Sequence, residues 1–413
     1  MGSRRTLEIK RREALIGIAG AAAVPLLPSD SVLAANDGAL ANADPRKSFD
    51  PWVEVSRTRL ESNANSILSR SKGAKLMPVI KANGYGLGAA TVARMYDSMP
   101  GVQGYMVVRP HEAFELAELG LRKPILLMAP ASQNDSIALA RAGVHLAMTL
   151  KDTPETVSEI ARAVGRPISV HLEVDTGINR QGIPWRIAGE RAKELAASGA
   201  VRITGTASYF VTPPGDRPQT EAWQPELEQI ERFEGVLAAM RTAGIDPGVR
   251  HMVSSRSLFQ YPQAYYDAVR LGILPTGSYP TAEARASGRV DIEQSFEVKC
   301  RVAQVSWVPP GDTVGFQKRH DQPNGTWVAT VLSGSPGGLP SDRQVWVNGH
   351  LRPLLMTGPR LYTLVDLGPE PIAKIGDEVI MTGRADPSIT AEALGNPWYL
   401  YVLADRLPSV AVA

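Results

Sequence analysis

Short apolar segments alternate with longer amphipathic stretches from about residue 52 to residue 280. The apolar segments are rich in strand-forming residues, as parallel strands buried on both faces are, and they lie at 77–80, 104–107, 124–127, 145–148, 168–174 and 203–207. Between them, stretches such as 110–119 and 224–243 have the apolar spacing of amphipathic helices. At least six successive strand-then-helix units predict a (β/α)8 barrel of the TIM type.

After Arg289 the helical pattern is nearly absent. Strand-like segments lie at 295–308, 326–332, 344–347, 362–365 and 378–381, and turn sequences such as Pro-Pro-Gly-Asp at 309–312 separate them. This pattern predicts a separate all-β domain. We therefore expect the barrel at residues 49–285 and a C-terminal β-domain at residues 286–413.

The first 35 residues differ from the rest of the chain. Basic clusters at 4–5 and 10–12 precede an apolar stretch at 14–27, and small residues follow at 32–35. A charged start, a short apolar core and small residues at a cleavage site are typical of an export signal. The arginine pairs favour the twin-arginine route. We expect an exported, periplasmic protein without membrane insertion once residues 1–35 are removed; a retained membrane anchor is the alternative.

Charged residues are nearly balanced, with 44 Lys and Arg against 42 Asp and Glu and a net charge of +2. Nucleic-acid-binding proteins carry a concentrated basic face, so we expect no nucleic-acid partner. Cys300 is the single cysteine. An internal disulfide therefore cannot form, and we predict no metal site. We interpret Cys300 as a buried thiol in a strand.

The segment Pro-Val-Ile-Lys-Ala-Asn-Gly-Tyr-Gly-Leu-Gly at 78–88 is the most informative string of the sequence. It predicts an apolar strand that ends on Lys81 and a glycine-rich loop directly after it. Catalytic residues of barrel enzymes lie at the C-terminal ends of the strands. A lysine there is partly desolvated, which lowers its pKa and lets the neutral amine attack a carbonyl group. Spacing alone leaves a second interpretation open, because many lysines at strand ends are simply solvated.

This segment resembles the cofactor-lysine motif of alanine racemases and broad-specificity amino-acid racemases. Further strings follow in the order that the family has them: Trp-Val-Glu-Val at 52–55, Val-Asp-Thr-Gly-Ile-Asn-Arg-Gln-Gly at 174–182, His-Met-Val-Ser-Ser at 251–255, Val-Arg-Leu-Gly-Ile at 269–273 and Pro-Gly-Asp-Thr-Val-Gly-Phe at 310–316. The resemblance implies a (β/α)8 barrel with a C-terminal β-domain, bound pyridoxal 5'-phosphate and a head-to-tail homodimer. It also implies that the substrate is an amino acid.

The resemblance assigns roles in the cofactor pocket. Lys81 matches the lysine that carries pyridoxal phosphate, and Arg270 matches the arginine that faces the pyridine nitrogen. The phosphate contacts match Tyr85, Ser255, Gly272, Ile273 and Tyr399. Because a guanidinium stays cationic, the ring nitrogen beside Arg270 is not protonated, which favours quick return of the α-proton over side reactions.

Two further residues match positions that handle the substrate. Arg180 corresponds to the arginine that orients the substrate carboxylate. Glu173 stands where the family often has a carbamylated lysine, and we expect its carboxylate to lie toward Arg180.

The second acid–base group departs from the family pattern, in which the partner subunit supplies a catalytic tyrosine. Ser335 stands in place of the catalytic tyrosine, and Tyr209 in place of the histidine that supports it. In the family the lysine acts on the proton of the D-isomer and the tyrosine on that of the L-isomer. A racemase needs a proton donor on each face of the substrate, and a serine hydroxyl is a much weaker acid than a phenol.

Three interpretations stay open at this point. Another group acts as the second acid, with Tyr209, Tyr362, His251 and His320 as candidates. The reaction uses only the lysine face, as in a lyase, a decarboxylase or a one-sided exchange enzyme. Or the protein binds cofactor or amino acid without turnover. We expect the first, a pyridoxal-phosphate-dependent amino-acid racemase that removes the α-proton, with Lys81, Ser335 and Tyr209 as catalytic candidates.

Overall fold

The chain forms two large sheets, of which the first is the barrel and the second consists mostly of C-terminal strands. The first strand in the chain, β1 (Trp52–Ser56), belongs to the second sheet and not to the barrel that follows it. The computed structural model describes residues 44–211, 222–315, 318–319, 323–332, 343–356, 362–394 and 407–413. The predicted export signal and three residues named above lie outside them: His320, Ser335 and Tyr399. Residues 1–47 are a separate unit, in which a short 3-10 helix is described at Pro45–Lys47, and residues 48–413 hold both sheets.

The barrel is a ring of eight parallel strands. They are β2 (Lys75–Pro78), β3 (Tyr105–Val107), β4 (Ile125–Leu127), β5 (His145–Met148), β6 (Ile168–Asp175), β8 (Val201–Ala207), β9 (Val249–His251) and β10 (Ala268–Leu271). Their spatial order is β2-β10-β9-β8-β6-β5-β4-β3. Bridges between Leu76 and Val102 and between Val79 and Met106 close the ring. A short strand, β7 (Ile183–Pro184), pairs with β6 beside it. The predicted (β/α)8 barrel is confirmed.

Helices connect the barrel strands, and four of those described begin after a serine or threonine whose side chain caps the helix. The helices are α1 (Arg57–Arg70), α2 (Lys81–Tyr85), α3 (Ala89–Tyr96), α4 (Pro110–Ala117), α5 (Gln133–Arg141), α6 (Pro154–Val164), α7 (Trp185–Ala197), α8 (Gln224–Thr242) and α9 (Ala282–Ala286). In α6, the Thr153 hydroxyl accepts from the backbone N–H of Thr156, and Gly165 ends the helix with a φ of 83°. Short 3-10 helices lie at Ser257–Phe259, Pro262–Ala264, Leu274–Thr276 and Pro387–Ile389.

The inside and the outside of the barrel carry separate apolar clusters. On β6, Val170 and Leu172 belong to the large cluster that also contains helix residues. Since side chains of a strand alternate between its faces, His171 and Glu173 point into the barrel. The apolar part of the interior is a smaller cluster of Met77, Val79, Tyr85, Met106, Leu126, Met128, Ala147 and Ala268. The inner face of β6 therefore carries the buried polar residues His171 and Glu173 toward the C-terminal end of the strand.

The C-terminal part forms an antiparallel ring. Its strands are β11 (Phe296–Val308), β14 (Thr326–Leu332), β15 (Gln344–Val347), β16 (His350–Met356), β17 (Tyr362–Gly368) and β18 (Glu378–Thr382). The long strand β11 pairs with β18 and with β14 and so closes the ring. A small separate pair joins β12 (Thr313–Val314) and β13 (Lys318–Arg319). The predicted C-terminal β-domain is confirmed, and Cys300 is buried in β11 as expected.

The edge of the second sheet brings distant parts of the chain together. Strand β1 is antiparallel to β11 on one side and parallel to β19 (Ser409–Val412) on the other. Lys299 of β11 lies among three carboxylates, with Nζ at 2.8 Å from Glu54, 3.2 Å from Glu297 and 2.9 Å from Glu378. This network joins β1, β11 and β18. The domain boundaries at residues 285 and 286 stay predictions.

Within the described part of the chain, we find no helix with both the length and the apolar character needed to cross a bilayer.

Candidate active site

A cavity of about 590 Å³ lies at the C-terminal ends of the barrel strands. Its wall contains eight of the site residues predicted from the sequence: Lys81, Tyr85, Arg180, Tyr209, Ser255, Arg270, Gly272 and Ile273. These residues come from segments that follow or end β2, β6, β8, β9 and β10. The barrel therefore brings together side chains that are far apart in the sequence.

Lys81 lies in an unusual turn. We expected the strand to end on Lys81, but β2 ends at Pro78 and Lys81 begins α2. The next four residues have positive φ angles: 51° at Ala82, 52° at Asn83, 66° at Gly84 and 58° at Tyr85. Left-handed backbone costs about 1 kcal/mol or more for each residue with a side chain. The turn therefore needs support from its surroundings.

Glu112 supplies part of that support. Its Oε1 accepts a hydrogen bond from the backbone N–H of Ala82 at 2.6 Å. Its Oε2 accepts from Val108 and Arg109 at 3.0 and 2.9 Å. The sequence analysis missed Glu112. Its position two residues after Pro110, in the first turn of α4, was the available signal, since helix starts favour both residue types there.

The C-terminal strand also contacts the segment after Lys81. The hydroxyls of Thr91 and Ser409 lie 2.7 Å apart. A Cβ on Gly88 would come within 2.0 Å of Ser409 Oγ, so only glycine fits between them. Strand β19 therefore packs directly against the start of α3.

The surroundings of Lys81 favour its neutral form. Burial lowers the pKa of the Lys81 amine, and the nearby charges of Arg180 and Arg270 lower it further. Glu112 opposes this effect and raises the pKa. The net change is downward, as a lysine that acts as a nucleophile or base requires.

Arg270 is fixed at the floor of the cavity. Its side chain is 5% exposed, and Nη1 donates to the carbonyl oxygen of Ser208 at 3.1 Å. The same Nη1 lies 3.6 Å from Glu173 Oε2. Glu173 thus forms its ion pair with Arg270, although we expected its carboxylate to lie toward Arg180. Burial raises the pKa of Glu173, while Arg270 and Arg180 lower it.

Tyr209 lies between two guanidinium groups. The Arg270 Cζ is 4.8 Å from the centroid of its ring, and the Arg180 Cζ is 5.3 Å away. Both distances are within the range of cation–π attraction. These contacts hold the Tyr209 ring in the cavity wall, in the vicinity of Lys81.

A cradle for a phosphate group is formed by the loops after β9 and β10, the seventh and eighth strands of the barrel. The Ser255 hydroxyl accepts from the backbone N–H of Gly272 at 3.2 Å and from that of Leu274 at 3.4 Å. A Cβ on Gly272 would come within 2.0 Å of the Tyr85 hydroxyl, so the cradle depends on glycine. TIM-barrel enzymes frequently bind phosphate at the loops after these two strands. The residues present therefore fit pyridoxal phosphate, with Lys81 in reach of the same cavity.

Two candidates for the second acid lie away from the cavity wall. His251 is fully buried, and its Nε2 is 2.9 Å from Nδ1 of His171. Burial lowers the pKa of His251 well below its usual value, so the ring is neutral. Tyr362 begins β17 and is 55% exposed. Neither residue lines the cavity, whereas Tyr209 does.

Two sequence models of known domains match the chain. The model of the alanine racemase N-terminal domain matches residues 55–280, and that of the alanine racemase C-terminal domain matches residues 295–399. The alanine racemase of Symbiobacterium thermophilum is 30% identical over 352 residues, which are 84% of this chain and 91% of the relative. That of Desulfosudis oleivorans is 29% identical over 384 residues, with 88% and 96% covered.

Solved structures of similar fold include two alanine racemases. The structure from Clostridium difficile 630 has a TM-score of 0.79 at 22% identity and covers 88% of this chain and 96% of its own. At that identity the likeness shows the fold alone. The structure from Streptomyces coelicolor A3(2) has a TM-score of 0.76 at 27% identity, with 89% and 100% covered.

Proposed function

The chain belongs to the alanine racemase family, and from this premise we propose that it is a pyridoxal-phosphate-dependent amino-acid racemase that holds its cofactor on Lys81. The observation that supports the site best is the shared cavity of Lys81, Arg270 and the cradle of Tyr85, Ser255 and Gly272. When bound, the cofactor serves as an electron sink that acidifies the α-proton of an amino acid.

The residues of the chain then bind, orient and move protons. Lys81, with its lowered pKa, takes or returns the α-proton on one face of the substrate. Arg180 is the proposed contact for the substrate carboxylate, since a guanidinium binds carboxylates through two parallel hydrogen bonds. Arg270, paired with Glu173, presents a permanent cation at the cavity floor.

We propose Tyr209 as the proton donor on the second face. Of the four candidates for a second acid, it is the one that lines the cavity among the described residues, and His320 is outside them. Its ring contacts with Arg180 and Arg270 fix it beside the residues that handle substrate and cofactor. A phenol is also the group that the family uses for this step, although from another position. Ser335 would then have no acid–base role of its own.

We also propose a homodimer in which the β-domain of one subunit covers the cavity of the other. The family resemblance supports this, since the partner subunit supplies part of the site there. Tyr399 is proposed as a further phosphate contact, as its motif position suggests. Light scattering at micromolar concentration should give twice the mass of the mature chain, and full activity in a monomer would contradict the proposal.

We propose a location outside the cytoplasm, because residues 1–35 have the pattern of an export signal. Cell fractionation with a tagged chain, followed by N-terminal sequencing of the mature form, tests this. Replacement of both arginine pairs, at 4–5 and 11–12, by lysine should keep the protein in the cytoplasm if the twin-arginine route carries it.

Chiral analysis of products from each proteinogenic amino acid tests the activity and names the substrate. Both isomers should form from either one, and Lys81→Ala should abolish this. Borohydride should fix a pyridoxyl group on the peptide that contains Lys81. Absence of any racemised amino acid, with the cofactor bound, would favour the lyase or binding-protein alternatives.

Exchange of the α-proton in heavy water tests the role of Tyr209. In the family the lysine that Lys81 matches acts on the proton of the D-isomer, so we expect Tyr209 to act on that of the L-isomer. Tyr209→Phe should therefore slow deuterium uptake into the L-isomer far more than into the D-isomer. Each tenfold difference between the isomers corresponds to about 1.4 kcal/mol of barrier. Tyr266→Phe is the matched control, since its ring packs against Phe233 and does not line the cavity. Equal slowing of both isomers by Tyr209→Phe would contradict the assignment.

A further inference from the structure

The proposed phosphate contacts within the described residues are all neutral groups. They are the hydroxyls of Tyr85 and Ser255 and the backbone N–H groups near Gly272 and Ile273. A phosphate monoester carries a charge of about −1.5 to −2 at neutral pH. Neutral donors bind such a group, but a nearby cation adds a stronger, charge-assisted contact.

Arg256 is the next residue after Ser255 and lines the same cavity. It belongs to the loop after β9, the seventh barrel strand, which is one of the two loops that bind phosphate in many TIM barrels. Its side chain is 17% exposed. None of the family motifs quoted from the sequence includes it, so the resemblance assigned it no role.

The carboxylate of Glu226 anchors Arg256 from the start of α8. Arg256 Nη1 lies 3.9 Å from Glu226 Oε1, which is longer than a hydrogen bond and leaves the contact electrostatic. Glu226 is fully buried, and its Oε2 accepts from the Tyr261 hydroxyl at 2.6 Å. Tyr261 in turn accepts from the backbone N–H of Trp223 at 2.9 Å. The carboxylate that faces Arg256 is therefore fixed in position.

The electrostatics of Arg256 fit a group that binds an anion. Burial lowers the pKa of the guanidinium, while Glu226, Tyr261 and Tyr209 raise it, and the net change is downward. A cation that has lost hydration to this extent gains from a nearby negative charge. The dianionic phosphate of a ligand in the adjacent cradle would add to the negative charge of Glu226, which already faces the guanidinium.

We propose that Arg256 contacts the phosphate of the bound cofactor and that Glu226 positions its guanidinium. The inference rests on the proposed function, because it needs pyridoxal phosphate in the cavity. It adds a cation to a cradle that the family motifs describe with neutral donors. It also gives the pair of Arg256 and Glu226 a role beyond connecting α8 to the loop after β9.

Comparison of pyridoxal phosphate with pyridoxal, which lacks the phosphate, tests the proposal. The full chain is freed of cofactor with hydroxylamine, and the dissociation constant of each compound is measured by visible absorbance. Arg256→Met should weaken the binding of pyridoxal phosphate by about ten- to one-hundred-fold, the range for loss of a charged hydrogen bond. The dissociation constant of pyridoxal should not change. Arg256→Lys should recover part of the loss. Inorganic phosphate should compete with pyridoxal phosphate less well in Arg256→Met than in the unmodified chain.

Arg250→Met is the control. Arg250 lies on β9 and pairs with Asp267 through two hydrogen bonds, of 2.7 and 2.8 Å, but it does not line the cavity. Its loss should lower stability and leave the ratio of the two dissociation constants unchanged.

Two results would overturn the inference while leaving the proposed function intact. If Arg256→Met weakens the binding of pyridoxal and of pyridoxal phosphate equally, Arg256 has a structural role only. Unchanged binding of both, with a raised KM for the amino acid, would place Arg256 against the substrate. If the unmodified chain binds neither compound on Lys81, the proposed function fails and the inference fails with it.

Discussion

The carboxylate of Glu112 accepts a hydrogen bond of 2.6 Å from the backbone N–H of Ala82, the residue next to Lys81. Its other oxygen accepts from two backbone N–H groups at the end of β3 and the start of α4. One buried side chain thus ties the left-handed turn after Lys81 to the neighbouring strand–helix unit. The position of the Lys81 amine depends on this connection.

We expect Glu112→Gln to loosen the turn. An amide has one oxygen to accept with, so it cannot satisfy all three N–H donors that the carboxylate serves. The free energy of unfolding should fall by about 1–3 kcal/mol, the cost of an unsatisfied buried donor, and the cofactor should bind more weakly. Glu115→Gln, an exposed glutamate of the same helix, is the control. Chemical denaturation checks the prediction, and identical curves for the two variants would contradict it.

We expect Gly272→Ala to damage the phosphate cradle. The added Cβ would lie 2.0 Å from the Tyr85 hydroxyl, so the Tyr85 ring must move. Overpacking of this kind costs about 1–3 kcal/mol, and the displaced hydroxyl can no longer serve the phosphate. Gly235→Ala, in the exposed face of α8 with open space at its Cβ, should instead stabilise the protein slightly. Titration with pyridoxal phosphate separates the variants, since the affinity should fall in Gly272→Ala alone.

The lowered pKa of Lys81 predicts a pH dependence of stability. Its ordinary value is 10.5, and in the folded, cofactor-free chain it is lower because of burial and Arg180. Between the two values the unfolded chain holds the proton and the folded chain does not, so stability rises with pH in that window. Lys81→Met should therefore stabilise the cofactor-free protein most below the window, and the gain should shrink as the pH approaches 10.5. A gain from Lys81→Met that does not vary with pH would contradict this.

For Lys299 in the β-domain, we predict that stability changes with pH in the opposite direction. Burial lowers its pKa, but the hydrogen bonds and charges of Glu54 and Glu378 together raise it by more. The net pKa is therefore above 10.5. Its stabilising contribution is therefore fully present below pH 10.5 and is lost as the pH rises through the folded value. Lys299→Met should cost about 2–4 kcal/mol at neutral pH, because three carboxylates then face one another without a cation. The difference from the unmodified chain should narrow above pH 10.5; a constant difference would mean that the lysine acts through packing alone.

The sequence was sufficient to predict the barrel, because strand-then-helix alternation is a local property of the chain. It also predicted which motif residues meet: Lys81, Ser255 and Arg270 lie in one cavity, as the resemblance implied. Their roles remain predictions. Periodicity could not reveal that β1 belongs to the second sheet, since a strand's partners depend on segments hundreds of residues away.

The sequence pattern also could not predict the backbone conformation at Lys81. An apolar run before a lysine indicated a strand up to Lys81, but the strand ends at Pro78 and a left-handed turn follows. Tertiary contacts such as that of Glu112 with Ala82 stabilise this local conformation, which the residues at 82, 83 and 85 would avoid on their own. In the same way, the pairing of Glu173 with Arg270 depends on the geometry of two barrel strands that are distant in sequence.

The position of β1 between β11 and β19 has a consequence for how the chain acquires its structure. During synthesis, residues 52–56 leave the ribosome long before either neighbour exists, since their partners lie at 296–299 and 409–412. All barrel strands are made in between. Such high contact order slows folding, and until it is paired β1 has two open edges that can bind other chains. The barrel can therefore close around its own strands first, while the final docking of β1 waits until residues 409–412 have been synthesised.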